Sequence, residues 1–338
     1  MSIRTLGIDL AKNSFSLHGI DEHGKVVLRK QISRGKLKAF VQQLPVCVIG
    51  MEACSGAHYW ARTFQGYGHA VKLMAPRFVV PYRKNGKNDD NDAAAICEAV
   101  TRPSMRFVAI KDVEQQAVLS LHRVREGLIK ERTAQINQLR GLLSEFGIVL
   151  AGGRSVIVKE MPRLLEEAEN GLPLLARRVL SDVYERIKQL NHQVNEYDRE
   201  IERLMQENEA AERIQRIPGI GPITATALVA SVNDGKQFKN GRQLAAWLGL
   251  VPRQNSTGGK IKLGRITKQG DRYLRTLLIH GARSAMLAAK NKQDRVSVWI
   301  KELAERRGSK KAAVALAAKL ARIIWSMLTT GSQYEQAQ

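Results

Sequence analysis

A long apolar seam in the middle of this 338-residue chain is the feature that most constrains how it can fold. Its members follow one another at alternating steps of three and four positions: Leu180, Val183, Ile187, Leu190, Val194, Tyr197, Ile201 and Leu204. This spacing is the coiled-coil period, and it places all of these side chains on one stripe of a helix. The sequence therefore predicts a long helix whose apolar stripe another helix must cover.

Two partners for that stripe are compatible with the sequence. An earlier helical segment carries its own apolar residues at Leu121, Val124, Leu128, Leu139 and Leu142. The glycine- and proline-bearing stretch 147–173 could join the two segments into a helical hairpin within one chain. The other possible partner is a second copy of the chain, in an intermolecular coiled coil.

The N-terminal part has a different pattern, with short apolar runs separated by turns. Five runs are predicted as strands: 3–9, 15–20, 25–32, 46–52 and 70–75. Helical spacing at 37–44 and 58–67 indicates a sheet covered by helices, and we expect the first three strands to form a meander. We therefore predict an α/β domain at 1–112, a helical coiled-coil region at 113–207 and a mostly helical C-terminal domain at 208–338.

The charge of the chain indicates a polyanionic partner. Lys and Arg number 54 against 32 Asp and Glu, which gives a net charge of +22. Residues 251–338 hold 18 of these cations and five acids, an excess of 13 positive charges. We expect this region to contact nucleic-acid phosphate, although a basic surface without catalytic activity has the same composition.

The cysteine content and the apolar stretches favour a soluble cytoplasmic protein. The only cysteines are Cys47, Cys54 and Cys97, without a Cys-x-x-Cys pair, so neither a disulfide framework nor a thiolate zinc site is indicated. Lys319 and Arg322 interrupt the apolar stretch 312–328, which makes it too polar for an ordinary membrane span. We expect no membrane partner.

Four acidic residues could converge into a metal site. Asp9 and Glu52 each end a predicted strand, and Asp89 and Asp92 would share one face in the first turn of a helix, whereas Asp90 would point away. Carboxylates that approach phosphate need divalent cations between them, and oxygen ligands select Mg²⁺ or Mn²⁺. The alternative is that these are ordinary strand-end and helix-capping acids.

A serine in the glycine-rich loop 254–270 could act as a nucleophile. Ser256 precedes Gly258 and Gly259, and a hydroxyl on such a loop can approach a phosphate closely and form a covalent phosphoserine. The surrounding cations could bind the phosphate: Arg253, Lys260, Lys262, Arg265, Lys268 and Arg275. The alternative is a plain turn, since no histidine lies nearby to act as its base.

A short glycine motif precedes this loop. Gly219 and Gly221 lie in Pro-Gly-Ile-Gly before a helical segment at 224–231, an arrangement that resembles a helix-hairpin-helix. In such a motif the backbone amides beside the glycines meet a DNA phosphate. An ordinary connection between helices has the same sequence signature.

The order of these motifs resembles the insertion-sequence-110 transposases, particularly the 1111 subgroup, over nearly the whole chain. The resemblance implies a RuvC-like, ribonuclease-H-type domain in which Asp9, Glu52, Asp89 and Asp92 form the metal-binding catalytic set. It also implies a C-terminal transposase domain with a catalytic serine. Ser256 matches when counted back from Lys268-x-Gly270, whereas counting forward from Pro252 points to Thr257.

In that family a structured bridge RNA pairs with donor and target DNA, and one subunit's acids act with another subunit's serine. The resemblance thus implies a bridge-RNA-guided serine recombinase that uses Mg²⁺ and works as a homodimer pairing into a tetramer, in the bacterial cytoplasm at the nucleoid. It also favours the intermolecular coiled coil. Two alternatives stay open: a RuvC-like junction-resolving nuclease that uses water, and a nucleic-acid-binding protein without catalytic activity.

Binding of DNA and RNA should weaken steeply as salt rises, because an excess of 13 charges in the last region works by displacing phosphate counterions. Dissociation constants measured from low to physiological salt test this, and a flat dependence would contradict it. Replacing Lys260, Lys262 and Arg265 together should reduce the salt slope measurably.

Overall fold

The computed structural model describes residues 2–84 and 88–335, in two compact units, Met1–Val113 and Glu114–Gln338. The first unit contains a six-stranded sheet of order β3-β2-β1-β4-β5-β6. Its strands are β1 (Thr5–Asp9), β2 (Ser14–Ile20), β3 (Val26–Ser33), β4 (Val48–Glu52), β5 (Ala70–Met74) and β6 (Phe107–Val108). The five predicted strands and the antiparallel meander β1-β2-β3 are confirmed, while the two-residue β6 was not predicted.

Helices cover both faces of this sheet. They are α1 (Arg34–Gln42), α2 (Ala57–Gly66), α3 (Pro76–Val79) and α4 (Asp89–Val100), with a 3₁₀ turn at Val80–Tyr82. Leu6 and Ile8 of β1 pack into one apolar cluster with Trp60 and Phe64 of α2. Gly7 lies between them and faces the opposite side, against α4. The period-two alternation of β1 thus separates an aromatic core from the helix that carries two of the predicted acids.

The second unit begins with the two predicted long helices, α5 (Val113–Glu145) and α7 (Leu174–Gln206). The stretch predicted to connect them contains a further helix, α6 (Arg154–Glu166), which was not predicted. Side-chain hydrogen bonds link α5 to α7 in three pairs: Arg125 with Asp198, Glu131 with Arg186, and Arg132 with Asn191. Residues nearer the start of α5 thus pair with residues nearer the end of α7. The two helices are therefore antiparallel neighbours within one chain.

The apolar seam of α7 faces inward in this hairpin. Leu180, Ile187, Leu190, Val194 and Ile201 are buried, and the other three predicted members are half-buried. The N-terminal part of the seam, with Leu180 and Ile187, packs in one apolar cluster with Leu139 and Leu143 of α5 and with residues of α6. The long helix with one apolar stripe is confirmed, and the chain itself supplies a partner for much of that stripe.

Shorter helices and a β-hairpin complete the second unit. They are α8 (Glu209–Gln215), α9 (Pro222–Val232), α10 (Gly241–Trp247), β7 (Pro252–Gln254), β8 (Leu263–Ile266), α11 (Arg272–Ala288), α12 (Arg295–Arg307) and α13 (Ser309–Thr330). By length and composition alone α13 could cross a membrane. Its residues Leu316, Leu320 and Ile324 are buried in the largest apolar cluster of the unit, which is the position of a core helix in a globular domain.

A buried histidine ties three of these helices together. The Nδ1 atom of His122 on α5 lies 3.1 Å from the Tyr273 hydroxyl, and its Nε2 atom lies 3.0 Å from Oγ1 of Thr226. Because Thr226 donates its own proton to the carbonyl of Pro222, Nε2 of the histidine is the donor and Nδ1 accepts from Tyr273. Burial lowers the pKa of His122 to about 4, so the ring is neutral in the folded protein.

Acid should therefore destabilise this unit through His122. The unfolded chain binds a proton at an ordinary histidine pKa of 6.5, whereas the folded chain resists it down to about 4. The free energy of unfolding is unaffected above pH 6.5 and decreases as the pH falls from 6.5 to about 4, by up to about 3 kcal/mol. Urea denaturation at several pH values should show this loss in the wild type and a smaller one in His122→Gln. Equal acid sensitivity of the two proteins would contradict the assignment.

Candidate active site

Two of the predicted acids end neighbouring strands of the sheet. Asp9 is the last residue of β1 and Glu52 is the last residue of β4. The strands are parallel, with Ile8 opposite Met51, so their carboxyl ends meet at the same edge of the sheet. Asp9 and Glu52 are therefore adjacent in space although 43 positions separate them in the sequence.

Glycines before these acids allow α4 to approach the same edge. A Cβ atom on Gly7 would lie 2.3 Å from the carbonyl oxygen of Ala93, and one on Gly50 would lie 2.9 Å from Cβ of Val100. No side chain fits at either position, because the backbone of α4 and its valine occupy the space. The absence of two side chains thus sets the distance between α4 and the strands that carry Asp9 and Glu52.

The first turn of α4 supplies the remaining acids. Asn88 caps the helix by accepting a 3.1 Å hydrogen bond from the amide of Asp90. Asp89, Asp90 and Asp92 follow in the first turn, where the positive end of the helix dipole favours negative charge. Asp89 and Asp92 act electrostatically on Asp9, whereas Asp90 acts on His18.

The electrostatics of Asp9 reflect this convergence. Burial, followed by the charges of Asp92, Glu52 and Asp89, raises the pKa of Asp9 to about 6. A carboxylate in this position is short of positive charge, which is the condition under which a divalent cation is most stabilising. The structure thus brings together the four acids that the sequence singled out.

One cation already lies among these acids, and the sequence analysis did not identify it. Arg83, which follows the 3₁₀ turn, places Nη2 3.0 Å from Oε1 of Glu52 and Nε 3.0 Å from Oδ1 of Asp92. Its charge also lowers the pKa of Asp9, against the larger effects of burial and the acids. Nothing in the spacing of the sequence marks an arginine in a turn as the partner of two acids from β4 and α4.

The donor set fits a hard divalent ion by its chemistry, since all four groups are carboxylates. Among residues 2–84 and 88–335, however, no three acidic, histidine or cysteine side chains are arranged to ligate one ion as they stand. Arg83 bridges two of the acids instead.

Ser256 lies on the β-hairpin formed by β7 and β8. The tip is a two-residue turn in which Gly258 and Gly259 have φ angles of 55° and 75° and Lys260 donates its amide to the carbonyl of Thr257. Positive φ at both central residues is the type I′ geometry, and glycine adopts it without strain. Ser256 is exposed, and its hydroxyl accepts a 2.8 Å hydrogen bond from Nε2 of Gln254.

The register of the hairpin changes which residues surround Ser256. Thr257 pairs with Lys260 and Gln254 with Leu263, so Ser256 lies opposite Ile261. Because opposite residues of an antiparallel pair share a face, Lys260 lies on the face of Thr257 and not on that of Ser256. Nearness in the sequence had suggested that these lysines flank the serine, and the alternation of the strands separates them from it.

The predicted cations fall into two groups. Arg253, Lys260, Lys262, Arg265 and Lys268 are exposed. Arg275 is only 8% exposed, and its Nη1 donates to the carbonyls of Leu248, Gln269 and Asp271. The prediction that Arg275 contacts phosphate is corrected, because its guanidinium is buried and holds the base of the hairpin.

Glycines also act at the base of the hairpin. A Cβ atom on Gly270 would lie 1.8 Å from the carbonyl oxygen of Trp247, and one on Gly249 would lie 2.2 Å from that of Gln269. The turn after α10 therefore contacts the end of the hairpin backbone to backbone. These contacts join the exposed serine loop to the helical core.

The two glycines of the motif before α9 lie in different surroundings. Gly219, with φ of 89°, lies against α11, where a Cβ atom would be 2.3 Å from the carbonyl oxygen of Gly281. Helix packing therefore explains why this position is a glycine, and the contact of its backbone with phosphate stays a prediction. Gly221 caps α9 and is half-buried, with nothing within 4 Å of an added Cβ, so its predicted contact with phosphate stays a prediction.

Comparison with known families finds two matches. A transposase family model named DEDD_Tnp_IS110 matches residues 6–148. A second model, described as "Transposase IS116/IS110/IS902 family", matches residues 211–297. The first contains all four acids, and the second contains Ser256, Gly219 and Gly221.

Curated relatives match along almost the whole chain. A "Probable family 20 transposase" of Pseudomonas aeruginosa is 46% identical, with 99% of each chain covered. The "Transposase for insertion sequence element IS1111A" of Coxiella burnetii is 47% identical, with 98% of this chain and 91% of the relative covered. A transposase for insertion sequence element IS1328 of Yersinia enterocolitica is 43% identical, with 99% of each chain covered.

Replacing Gly7 by alanine should displace α4 from the sheet, because the new methyl group would meet backbone atoms of Ala93 and Cys97 that cannot turn aside. We expect a loss of at least about 2 kcal/mol of stability and loss of DNA cleavage. Thermal melting checks the first effect. Gly66→Ala is the control, since nothing lies within 4 Å of that position, and it should melt at or above the wild-type temperature. Equal melting temperatures for Gly7→Ala and the wild type would contradict the packing argument.

Proposed function

Because this chain belongs to the IS116/IS110/IS902 family of transposases, which act on DNA, we propose that it is a recombinase that cleaves and rejoins DNA strands through a phosphoserine at Ser256. The observation that carries the proposal is the convergence of Asp9, Glu52, Asp89 and Asp92 at one edge of a sheet. The strand order, with β1 and β4 parallel at its centre, supports a RuvC-like, ribonuclease-H-type fold for the first unit.

In this proposal the four carboxylates hold Mg²⁺ or Mn²⁺. When bound, the ions neutralise negative charge at the scissile phosphate and polarise its oxygens. The residues of this chain perform the positioning: β1 and β4 fix Asp9 and Glu52, and the capped first turn of α4 presents the other two acids.

Ser256 supplies the nucleophile. Its Oγ forms a bond to phosphorus as the bond to the leaving strand oxygen breaks, and the hydroxyl proton passes to solvent. The covalent phosphoserine keeps the energy of the broken bond, so attack by the hydroxyl of another strand can rejoin DNA and regenerate the serine. An exposed position on a narrow hairpin supports this role, since the hydroxyl is open to a large substrate.

The proposal includes an assembly and a guide. A homodimer that pairs into a tetramer would bring one subunit's acids to another subunit's serine. Exposed apolar residues on the helical hairpin support such contact: Val124, Leu174, Leu175 and Val179. A structured bridge RNA that pairs with donor and target DNA is supported by the net charge of +22, which suits two polyanions, and a protein with these partners would be cytoplasmic and held at the nucleoid.

A second candidate has one observation in its favour. The face of the hairpin that carries Ser256 also carries Ile261 and Leu263, whereas Lys260 and Lys262 lie on the other face. A serine that only supports the turn needs no cation on its own face, so this arrangement is compatible with such a role. In this alternative the acids direct water at a DNA junction, as in a RuvC-like nuclease, and no protein–DNA adduct forms.

Ser256→Ala should keep nucleic-acid binding and yield neither recombinant product nor covalent adduct, because alanine preserves the loop but cannot attack phosphorus. Thr257→Ala is the matched control. It should keep substantial activity, since Thr257 contributes its backbone to the turn. Denaturing gels and mass spectrometry of the digested adduct identify the linked peptide.

The other outcomes separate the candidates. An adduct on Thr257 together with an active Ser256→Ala moves the nucleophile by one residue. Free cut ends from both variants favour the water-using nuclease. Asp9→Asn and Glu52→Gln should abolish cleavage while the protein stays folded, and normal cleavage by both in Mg²⁺ would contradict the metal site.

A further inference from the structure

We propose that Arg83 is a positioning residue that occupies the acidic site and is exchanged for the divalent cation when that cation binds. This inference rests on the proposed function of the four acids as a metal site. It concerns a residue that contributes no ligand, and it predicts the strength of metal binding and not the chemistry that follows.

The geometry of Arg83 is that of a cation within the site. Its guanidinium uses two different nitrogens on two different carboxylates, each at 3.0 Å, one at the end of β4 and one on the first turn of α4. The acidic side chains are 12% and 13% exposed for Glu52 and Asp92, and that of Arg83 is 33% exposed. The bridge therefore joins the sheet to the helix at the point where the predicted ligands meet.

The charge of this bridge is permanent. A guanidinium carries a fixed positive charge that is spread over its three nitrogens. The backbone of Arg83 is fixed, because the Arg83 amide donates to the carbonyl of Val80 and closes the 3₁₀ turn. Only rotation of the side chain can remove the charge from Glu52 and Asp92.

Arg83 already contacts two of the carboxylates that would hold a divalent ion. An ion bound by Glu52 and Asp92 would share these two acids with the guanidinium, and the repulsion between two cations at such short range opposes both remaining. Metal binding is therefore an exchange, in which part of the binding free energy is spent on releasing the guanidinium. The wild-type protein should bind divalent ions more weakly than its carboxylates alone would.

Replacing Arg83 by glutamine tests the exchange. Arg83→Gln keeps a hydrogen-bond donor at about the position of Nε and removes the charge, so Mn²⁺ or Mg²⁺ should bind about tenfold more tightly, the effect of a neighbouring charge worth roughly one pK unit. Calorimetric titration of the full chain with the metal alone, at pH 8 and without DNA, measures this directly. Thermal melting adds a second readout: in chelator the variant should melt below the wild type, and metal should raise its melting temperature by more.

Two matched variants separate charge from packing. Arg83→Lys keeps the charge and should keep the weak wild-type affinity. Arg102→Gln removes one arginine charge from an exposed ion pair with Glu98 on the same α4, and it should leave metal affinity unchanged. If Arg83→Gln fails to fold, Arg83→Met takes its place in the titration, because methionine retains the apolar stem and removes the charge.

The outcomes distinguish this inference from the metal site itself. Asp92→Asn should abolish binding in the wild type and in Arg83→Gln if the acids form the site. Binding that Asp92→Asn abolishes, but that is equal or weaker in Arg83→Gln, overturns the exchange and leaves the metal site standing. Binding that is absent from every protein, or insensitive to Asp92→Asn, overturns the metal site and the exchange together.

Discussion

The arrangement of the first unit depends on the direct contact between the backbone of α4 and the strands at Gly7 and Gly50. A methyl group at either position would collide with α4 or its Val100, so the helix can lie this close only because both side chains are absent. That approach brings the first turn of α4 level with the carboxyl ends of β1 and β4. The aromatic cluster on the other face, with Trp60 and Phe64, holds the sheet against which α4 packs.

The second unit uses the same device to support an exposed loop. Gly219 meets Gly281, and Gly270 meets the carbonyl of Trp247, so helices and loops contact each other through backbone atoms. The buried guanidinium of Arg275 then satisfies carbonyls beneath the hairpin. Of the cations that resemble phosphate contacts in the sequence, Arg275 is instead part of the base on which the loop with Ser256 is presented, while the other five stay exposed.

Charge is handled differently in the two units. Residues 251–338 of the second unit present exposed lysines and arginines, and such charges attract a polyanion over a long range. The first unit concentrates acids at the sheet edge, and Arg83 offsets part of their charge. We propose that divalent ions, when they replace the guanidinium, offset more of this negative charge as the site approaches DNA.

The sequence by itself determined the longer elements and the four acids of the candidate site. Strand-period runs, the three-and-four seam and the capping residue Asn88 are local patterns, and they predicted the five long strands and α7 and offered convergence of the acids as one of two interpretations. Tertiary structure decided the contacts between residues that lie far apart in the sequence. Arg83 reaches Glu52 only across the fold, Arg275 turns inward to carbonyls, and strand register moves Lys260 away from the face of Ser256. Periodicity fixes which face of an element is apolar, whereas the partner of a charged side chain depends on which elements pack together, and that is set by backbone contacts no local pattern encodes.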